Sequence, residues 1–343
     1  MIQYVTSACN SRCKMCFYWK NIDDHASKKE LSIDEFGKIS KRLGGLLQLS
    51  LTGGEPFLRD DLPEICGEFI KYSDPLIITI PTNGLLPEKI YNSAKKMLSS
   101  GSNSFFRFSL SLDGIGDLHD SIRGVNGNFE KAMETYKKLN ELKSEFKNFN
   151  IDIGTVMSKF NQNKVKDIFG FVEKNLSVDN HYFALARGKT RLPDAGAVDV
   201  DSYADMVRYK RGQLKRGENR PFSGIFREVF ELNTEILLET LMKRHMVIPC
   251  VAGKNMAIIS ETGDVYPCEI LDRVLGNVRD YGYDVKKIMR SKEGRDALDF
   301  IKKEKCFCTF ECAINASVIF NPLIYPRVLK NMLCKKTIGG YVK

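Results

Sequence analysis

Cys9, Cys13 and Cys16 stand in the run Cys9-Asn10-Ser11-Arg12-Cys13-Lys14-Met15-Cys16-Phe17, directly after a short apolar segment, Ile2 to Thr6. Three thiolates at Cys-x3-Cys-x2-Cys spacing can ligate three irons of one cluster and leave the fourth iron without a protein ligand. An open iron can bind and reduce a small molecule, whereas a cluster closed by four cysteines passes electrons or holds the fold. A tetrahedral zinc site completed by His25 is the competing use of these thiols, but zinc sites usually present paired Cys-x2-Cys knuckles.

A second group of cysteines lies far downstream. Cys250 and Cys268 flank a segment (Met256 to Ile259, Thr262-Gly263-Asp264, Val265 to Pro267) that reads as a β-hairpin with a glycine turn, which would bring the two thiols together. Cys306, Cys308 and Cys312 follow in one tight span. Five cysteines around one hairpin and one loop argue for an auxiliary iron–sulfur cluster bound by four thiolates, with structural zinc as the alternative. Cys66 reads as a core thiol and Cys334 as a thiol on a helix face.

The elements that must position these groups alternate with a period of about 30 residues, the repeat of βαβ units. Strands are predicted over Ile2 to Thr6, Leu47 to Thr52, Leu76 to Pro81, Phe105 to Leu112, Ile151 to Met157 and Tyr182 to Ala186. Helices are predicted over Leu62 to Tyr72, Pro87 to Ser99, Phe129 to Phe146 and Lys164 to Leu176, after a first helix opened by the capping box Ser32-Ile33-Asp34-Glu35. Six βα units are too few for a closed eight-stranded barrel. The fold class is therefore α/β, an open partial (β/α)6 barrel over residues 1–190, with a basic helical insertion over 191–248 and a small cysteine-rich auxiliary domain over 249–343.

Open α/β sheets bind ligands at the carboxyl ends of their strands. Gly53-Gly54-Glu55-Pro56 follows the second strand, where glycines admit close approach and carbonyls with a carboxylate suit an ammonium group. Thr82-Asn83-Gly84 follows the third, and Ser109-Leu110-Ser111-Leu112-Asp113-Gly114 closes the fourth, offering hydroxyls and a carboxylate to a ribose or carboxylate. Turn chemistry and strand alternation would account for the same residues. His119 and Asp120 read first as a satisfied helix cap.

Composition is that of a globular chain, with 343 residues and 43% hydrophobic residues. No apolar run approaches the ~20 residues of a membrane span, and the first cysteine motif leaves no room for a signal peptide, so a cytoplasmic protein is expected. Ten cysteines in a reducing compartment point to metal or redox chemistry. Of the net charge of +9, a concentration lies at Arg208, Lys210, Arg211, Lys215, Arg216 and Arg220 against Glu218, which reads as a solvated helix face. The apolar-then-basic segment Ile314 to Lys336 reads as a helix packed on the barrel, or as a surface that meets lipid-linked substrate.

Taken together, the cysteine run and Gly53-Gly54-Glu55-Pro56 resemble the signatures of the radical S-adenosylmethionine (radical SAM) enzymes. The Cys-x12-Gly-x4-Cys spacing from Cys250 to Cys268 and the Cys308-x3-Cys312 pair resemble the SPASM and Twitch extensions, although a Cys-x2-Cys-x5 segment of the full pattern is missing. The resemblance implies a [4Fe-4S] cluster on Cys9, Cys13 and Cys16, S-adenosylmethionine on its open iron, and reductive cleavage to a 5'-deoxyadenosyl radical that abstracts hydrogen from an unactivated C–H bond. It assigns cofactor contacts to Gly53, Gly54, Glu55, Asn83, Ser111, Asp113 and Thr155. It also implies one auxiliary [4Fe-4S] cluster drawn from Cys250, Cys268, Cys306, Cys308 and Cys312, and an external electron donor such as flavodoxin or ferredoxin. His119-Asp120-x-x-Arg123-Gly124 resembles a stretch found in one branch of the family. Relatives with this extension oxidise, cross-link or epimerise ribosomal peptides, or act on amino sugars and other carbohydrates. With the motif starting at Cys9, the expectation shifts toward a small or carbohydrate substrate, or toward a leader-binding protein supplied as a separate chain for a peptide substrate. A carbohydrate or lipid-linked glycan is the alternative substrate. An iron–sulfur electron carrier or a zinc-bearing nucleic-acid binder is the alternative from another class, and neither calls for Gly53 to Glu55 at a strand end.

Overall fold

The computed structural model describes residues 1–216, 223–304, 306, 309–322 and 326. Cys308, Cys334, Glu218, Arg220, 323–325 and 327–336 lie outside the described residues. Six strands, β1 (Ile2–Thr6), β2 (Gln48–Gly53), β3 (Ile77–Thr82), β4 (Phe105–Ser111), β5 (Phe149–Met157) and β6 (Asn180–Leu185), pair in parallel and in sequence order. The sheet does not close on itself. Past β1 it continues through β7 (Ile258–Ile259), parallel to β1, and then β8 (Asp264–Tyr266) and β9 (Gly276–Asn277), both antiparallel. The predicted hairpin is thus present, with Gly263 at φ +92° in its turn, a backbone conformation that suits glycine. It extends the barrel sheet, placing β1 at the join.

Among the described residues the helices are α1 (Trp19–Asp23), α2 (Ile33–Leu43), α3 (Leu62–Ser73), α4 (Pro87–Leu98), α5 (Asp117–Arg123), α6 (Asn128–Glu141), α7 (Val165–Asn175), α8 (Val200–Arg216), α9 (Ser223–Lys243), α10 (Val285–Met289), α11 (Lys292–Glu304) and α12 (Glu311–Ile319). The capping box that opens α2 is formed: Ser32 accepts from the Glu35 amide, and Glu35 accepts from the Ser32 amide. Strand alternation then sorts the side chains into two faces. Leu49, Leu51, Ile78, Ile80, Phe106, Phe108, Leu110, Ile151 and Ile153 are fully buried against Phe36, Ile65, Phe69, Ile90 and Leu139 of the covering helices. Cys66 belongs to this core, as expected.

The opposite face is polar and partly open. Ser50, Thr52, Thr79, Arg107 and Ser111 are half-buried there, and Tyr182 is exposed. Arg107 pairs with Asp152 through its Nε at 2.7 Å, and the Ser109 hydroxyl lies 2.7 Å from that of Tyr182. Gly154 is required beneath that ring, because a Cβ there would fall 2.7 Å from the Tyr182 hydroxyl. An apolar outer face and a polar inner trough mean that the helices hold the sheet while its interior stays available to ligands.

The helices after β6 pack as a second core. Phe183 of β6 joins Tyr203 and Met206 of α8, Leu232 and Ile236 of α9, and Ile314 and Val318 of α12. The basic run is only in part a solvated face. Arg208 pairs with Asp205 on the surface, but Arg211 pairs with Glu231, and Lys210 turns inward to donate to the His181 carbonyl at 2.7 Å. Burial of Lys210 brings its pKa down to about 8. A long lysine stem can lie over the Phe169 ring and still reach an acceptor, which a count of charges along the helix does not reveal. Among the described residues no helix is long and apolar enough to cross a membrane.

Candidate active site

The loop after β1 carries the first three cysteines and is strapped on two sides. The Arg12 and Lys14 amides donate to the Arg123 and Ile122 carbonyls at the end of α5, and the Arg191 and Leu192 amides donate back to the Cys16 and Lys14 carbonyls. Gly124, at φ +69°, permits the first contact, since a Cβ would sit 2.7 Å from the Arg12 carbonyl oxygen. Cys9, Cys13 and Cys16 are all half-buried, and Cys9 and Cys16 each feel the charge of Cys13. Burial pushes the Cys9 thiol up to about 11 and Cys16 to about 12, and raises Cys13 against the pull of Arg123. Thiols held this high stay protonated until a metal displaces the proton.

Three thiols on one loop are a donor set of the kind that holds an iron–sulfur cluster. Among the described residues no three His, Cys, Asp or Glu side chains converge tightly enough to hold one ion. His25, the candidate fourth zinc ligand, lies instead 2.9 Å from the Ser7 hydroxyl and 3.4 Å from Glu30. The buried Ser11 hydroxyl beside Cys9 meets no hydrogen-bond partner among the described residues, a polar atom left for a ligand to satisfy.

Gly53-Gly54-Glu55 crosses this loop at close range. The Gly54 amide donates to the Thr6 carbonyl at 2.9 Å and the Glu55 amide to the Ala8 carbonyl at 2.7 Å. A Cβ on Gly54 would lie 2.1 Å from the Ala8 oxygen. Gly54→Ala is therefore expected to destabilise the protein by about 2 kcal/mol or more, because a backbone atom must move. A thermal melt of the variant at wild-type stability would show that the loop yields. Glu55 is fully buried and accepts from the Thr82 hydroxyl at 2.9 Å, the Asn83 amide at 2.7 Å and the Phe57 amide at 3.3 Å. Burial outweighs these bonds and raises its pKa to about 7. The Asn83 side chain donates to Asn10 at 2.7 Å, tying the third strand end to the cysteine loop.

At the fourth strand end, Ser111 is half-buried on the inner face, while the Asp113 carboxylate is fully buried. Asp113 pairs with Arg123 at 2.6 Å and accepts from the Val156 amide at 2.7 Å. Arg123 also reaches the Cys13 sulfur at 3.7 Å, so one guanidinium joins a strand end to a candidate ligand. His119 is buried, accepts from the Asp113 amide, and is held neutral by burial with its pKa near 3. Asp120 accepts from the Gly127 and Phe129 amides at the start of α6, the capping role read from sequence. The buried Thr155 hydroxyl donates to the Leu112 carbonyl and lies 2.9 Å from His181.

The later cysteines sit over the inner side of β1. Cys250, Cys268 and Cys306 pack on a cluster that contains Ile2, Tyr4, Ile258 and Phe310, and Cys268 feels the charges of Cys250 and Cys306. Cys312, in the first turn of α12, has an accessible surface, yet the surrounding protein pushes its thiol up to about 12. The physical reading is a thiol that faces an internal space. Asn10, Tyr4, Arg187 and Glu269 were not singled out from sequence, although Arg187 lies two residues past the end of β6, a strand end where such a residue would be sought.

A cysteine loop at the open end of a parallel half-barrel, backed by a second cysteine group, defines the class. The model of the radical SAM superfamily matches residues 4–172, and the model of the SPASM iron-sulfur cluster-binding domain matches residues 250–313. The chain belongs to the radical SAM superfamily and carries a SPASM domain, so it is an enzyme that uses a [4Fe-4S] cluster, S-adenosylmethionine and an auxiliary iron–sulfur cluster. Similar proteins include the AdoMet-dependent heme synthase of Oleidesulfovibrio alaskensis, 27% identical over 80% of this chain and 71% of that protein. The antilisterial bacteriocin subtilosin biosynthesis protein AlbA of Bacillus subtilis is 25% identical over 88% of this chain and 63% of its own. The sporulation killing factor maturation protein SkfB of the same organism is 24% identical over 80% and 61%. Among solved structures, native anSMEcpe with bound AdoMet shares the fold, with a TM-score of 0.62, 18% identity, and coverage of 97% of this chain and 100% of that one.

Proposed function

We propose that the enzyme modifies a ribosomally made peptide, abstracting a hydrogen atom from an unactivated C–H bond for oxidation, cross-linking or epimerisation. The observation that carries this reading is the inner trough of Ser50, Thr52, Thr79, Arg107, Ser111 and Tyr182, a polar surface open to solvent that suits the amides of an extended chain. AlbA and SkfB, named for bacteriocin biosynthesis and killing-factor maturation, support it. The AdoMet-dependent heme synthases favour a second reading, a tetrapyrrole substrate.

In either case Cys9, Cys13 and Cys16 hold the catalytic cluster, which with S-adenosylmethionine supplies the reductive cleavage and the hydrogen-abstracting radical. Gly53 and Gly54 bring backbone carbonyls to the methionine ammonium, with the Glu55 carboxylate behind them. Ser111 lines the cofactor space, and Asn83, buried and bonded to Asn10, ties the third strand end to the cysteine loop beside it. Asp113 and Thr155 act by fixing the strand ends, since both side chains are buried and engaged. Cys250, Cys268, Cys306 and Cys312, with Cys308 as the remaining candidate, would hold the auxiliary cluster, which would supply an acceptor for the electron left on the substrate radical. A flavodoxin or ferredoxin supplies the first electron, and a separate leader-binding protein delivers the peptide.

The test is isotope transfer. Deuterated peptide, tetrapyrrole and carbohydrate pools are incubated separately with the reduced enzyme, and the 5'-deoxyadenosine formed is weighed by mass spectrometry. Deuterium gained from peptides alone supports the proposal. Label from tetrapyrroles or carbohydrates, with none from peptides, overturns it.

A further inference from the structure

Arg187 lies one residue beyond Ala186, just past the end of β6, at the meeting point of segments that flank both cysteine groups. Its guanidinium carbon lies over two rings, 4.9 Å from the centre of Phe17 and 4.7 Å from that of Phe310. Phe17 follows Cys16, and Phe310 precedes Cys312 by two residues. The Nη2 of Arg187 donates to Glu269 at 2.7 Å, and Glu269, next to Cys268, accepts from the Tyr4 hydroxyl at 3.0 Å. Tyr4 in turn packs on Tyr18, with ring centres 4.5 Å apart, and Tyr18 is bonded to Glu261 in the hairpin. Gly188 allows this approach, since a Cβ there would lie 3.2 Å from the Phe17 Cβ.

Two features exceed what a packing role requires. The Nε–H of Arg187 is buried and meets no acceptor among the described residues. Buried donors are seldom left unmet, so an acceptor is expected at this place in the loaded enzyme. Two of its contacts, Glu269 beside Cys268 and Phe310 two residues before Cys312, also belong to the segments that carry the later cysteines. Sulfur atoms of a cluster are acceptors of the kind missing, and hydrogen bonds and positive charge near a cluster stabilise its reduced, more negative state.

We infer that Arg187 is a positioning residue that joins the two cysteine centres, packing on Phe17 and Phe310 and presenting an N–H and a positive charge that raise the reduction potential of the auxiliary cluster. This rests on the reading that Cys250, Cys268, Cys306 or Cys308, and Cys312 hold that cluster. A higher potential would make the auxiliary cluster a better acceptor of the electron left on the substrate radical after hydrogen abstraction.

The full-length reconstituted enzyme, Arg187→Met and Arg187→Lys are compared by iron content and by redox titration followed by electron paramagnetic resonance. In Arg187→Met at wild-type iron content, the auxiliary midpoint is expected to fall by a tenfold change in the reduced-to-oxidised ratio, about 59 mV for a one-electron couple. Arg187→Lys, which keeps the charge but lacks the Nε donor, is expected to fall part of the way. The magnetic interaction between the two reduced clusters is expected to change in Arg187→Met as these ring contacts loosen. Full iron with an unchanged midpoint in both variants overturns this inference alone. Loss of the auxiliary iron in both variants overturns it too, by reducing Arg187 to a structural ion pair. About four irons in the wild type overturn the auxiliary cluster itself, and the inference with it.

Discussion

Replacing Cys9, Cys13 and Cys16 together with alanine is expected to lower the iron of the anaerobically reconstituted protein from about eight atoms per chain to about four, and to abolish release of 5'-deoxyadenosine. The single change Cys16→Ala is expected to remove that activity as completely, because a cluster held by two thiolates has lost its anchorage. The argument is local. The three thiols hang on one loop strapped to α5 and to Arg191 and Leu192, and His25, turned toward Ser7 and Glu30, offers no substitute. Iron, sulfide and zinc are counted in the same samples. Zinc in place of iron at the first site would end the radical reading of this loop. About four irons falling to none would leave the SPASM segment without a cluster and take away the electron-acceptor role.

The second large effect is structural. Arg123→Met is expected to destabilise the protein by about 3–5 kcal/mol, the range for breaking a buried ion pair from one side. Asp113 is fully buried and would keep a charge with only the Val156 amide to meet it. Asp113→Asn placed on the same chain is expected to restore much of the loss, since it removes the stranded charge. A recovery of about 2 kcal/mol in the double variant would measure the coupling. Denaturant midpoints of equally loaded samples are the readout, because cluster release during unfolding departs from two-state behaviour. Additive losses in the double variant would refute the pairing. Cys13 reports separately: without the guanidinium 3.7 Å from its sulfur, its thiolate loses a counter-charge, and iron loading is expected to slow.

Much of this was legible before any coordinates. All six barrel strands lie within about two residues of their predicted limits, because apolar runs alternating with amphipathic helices carry a long-period signal that survives local irregularity. The capping box of α2 and the turn at Gly263 were legible because each is set by a few adjacent residues. β9 was not foreseen, since two residues, Gly276 and Asn277, become a strand only by pairing with β8. The inward turn of Lys210 was missed because a charge count along a helix carries no information about which stem can reach an acceptor. The Asp113–Arg123 pair was missed for a related reason. Both residues sat within quoted motifs, but their meeting depends on the turn and short helix between them. The Arg187 assembly draws on residues from Tyr4 to Phe310, and no local pattern announces so long a reach.

The position of β1 in the sheet bears on how the chain is made. Its one flank is covered by β2 at Gln48–Gly53, about forty residues further along the chain, but its other flank waits for β7 at Ile258–Ile259. While the intervening two hundred or so residues leave the ribosome, the strand that leads into Cys9 presents an unpaired edge and the uncovered surface of Ile2 and Tyr4. Such nascent intermediates are open to strand addition from other chains. Slow elongation, low temperature or a chaperone that shields this edge should therefore govern the soluble yield more than any substitution on the finished surface.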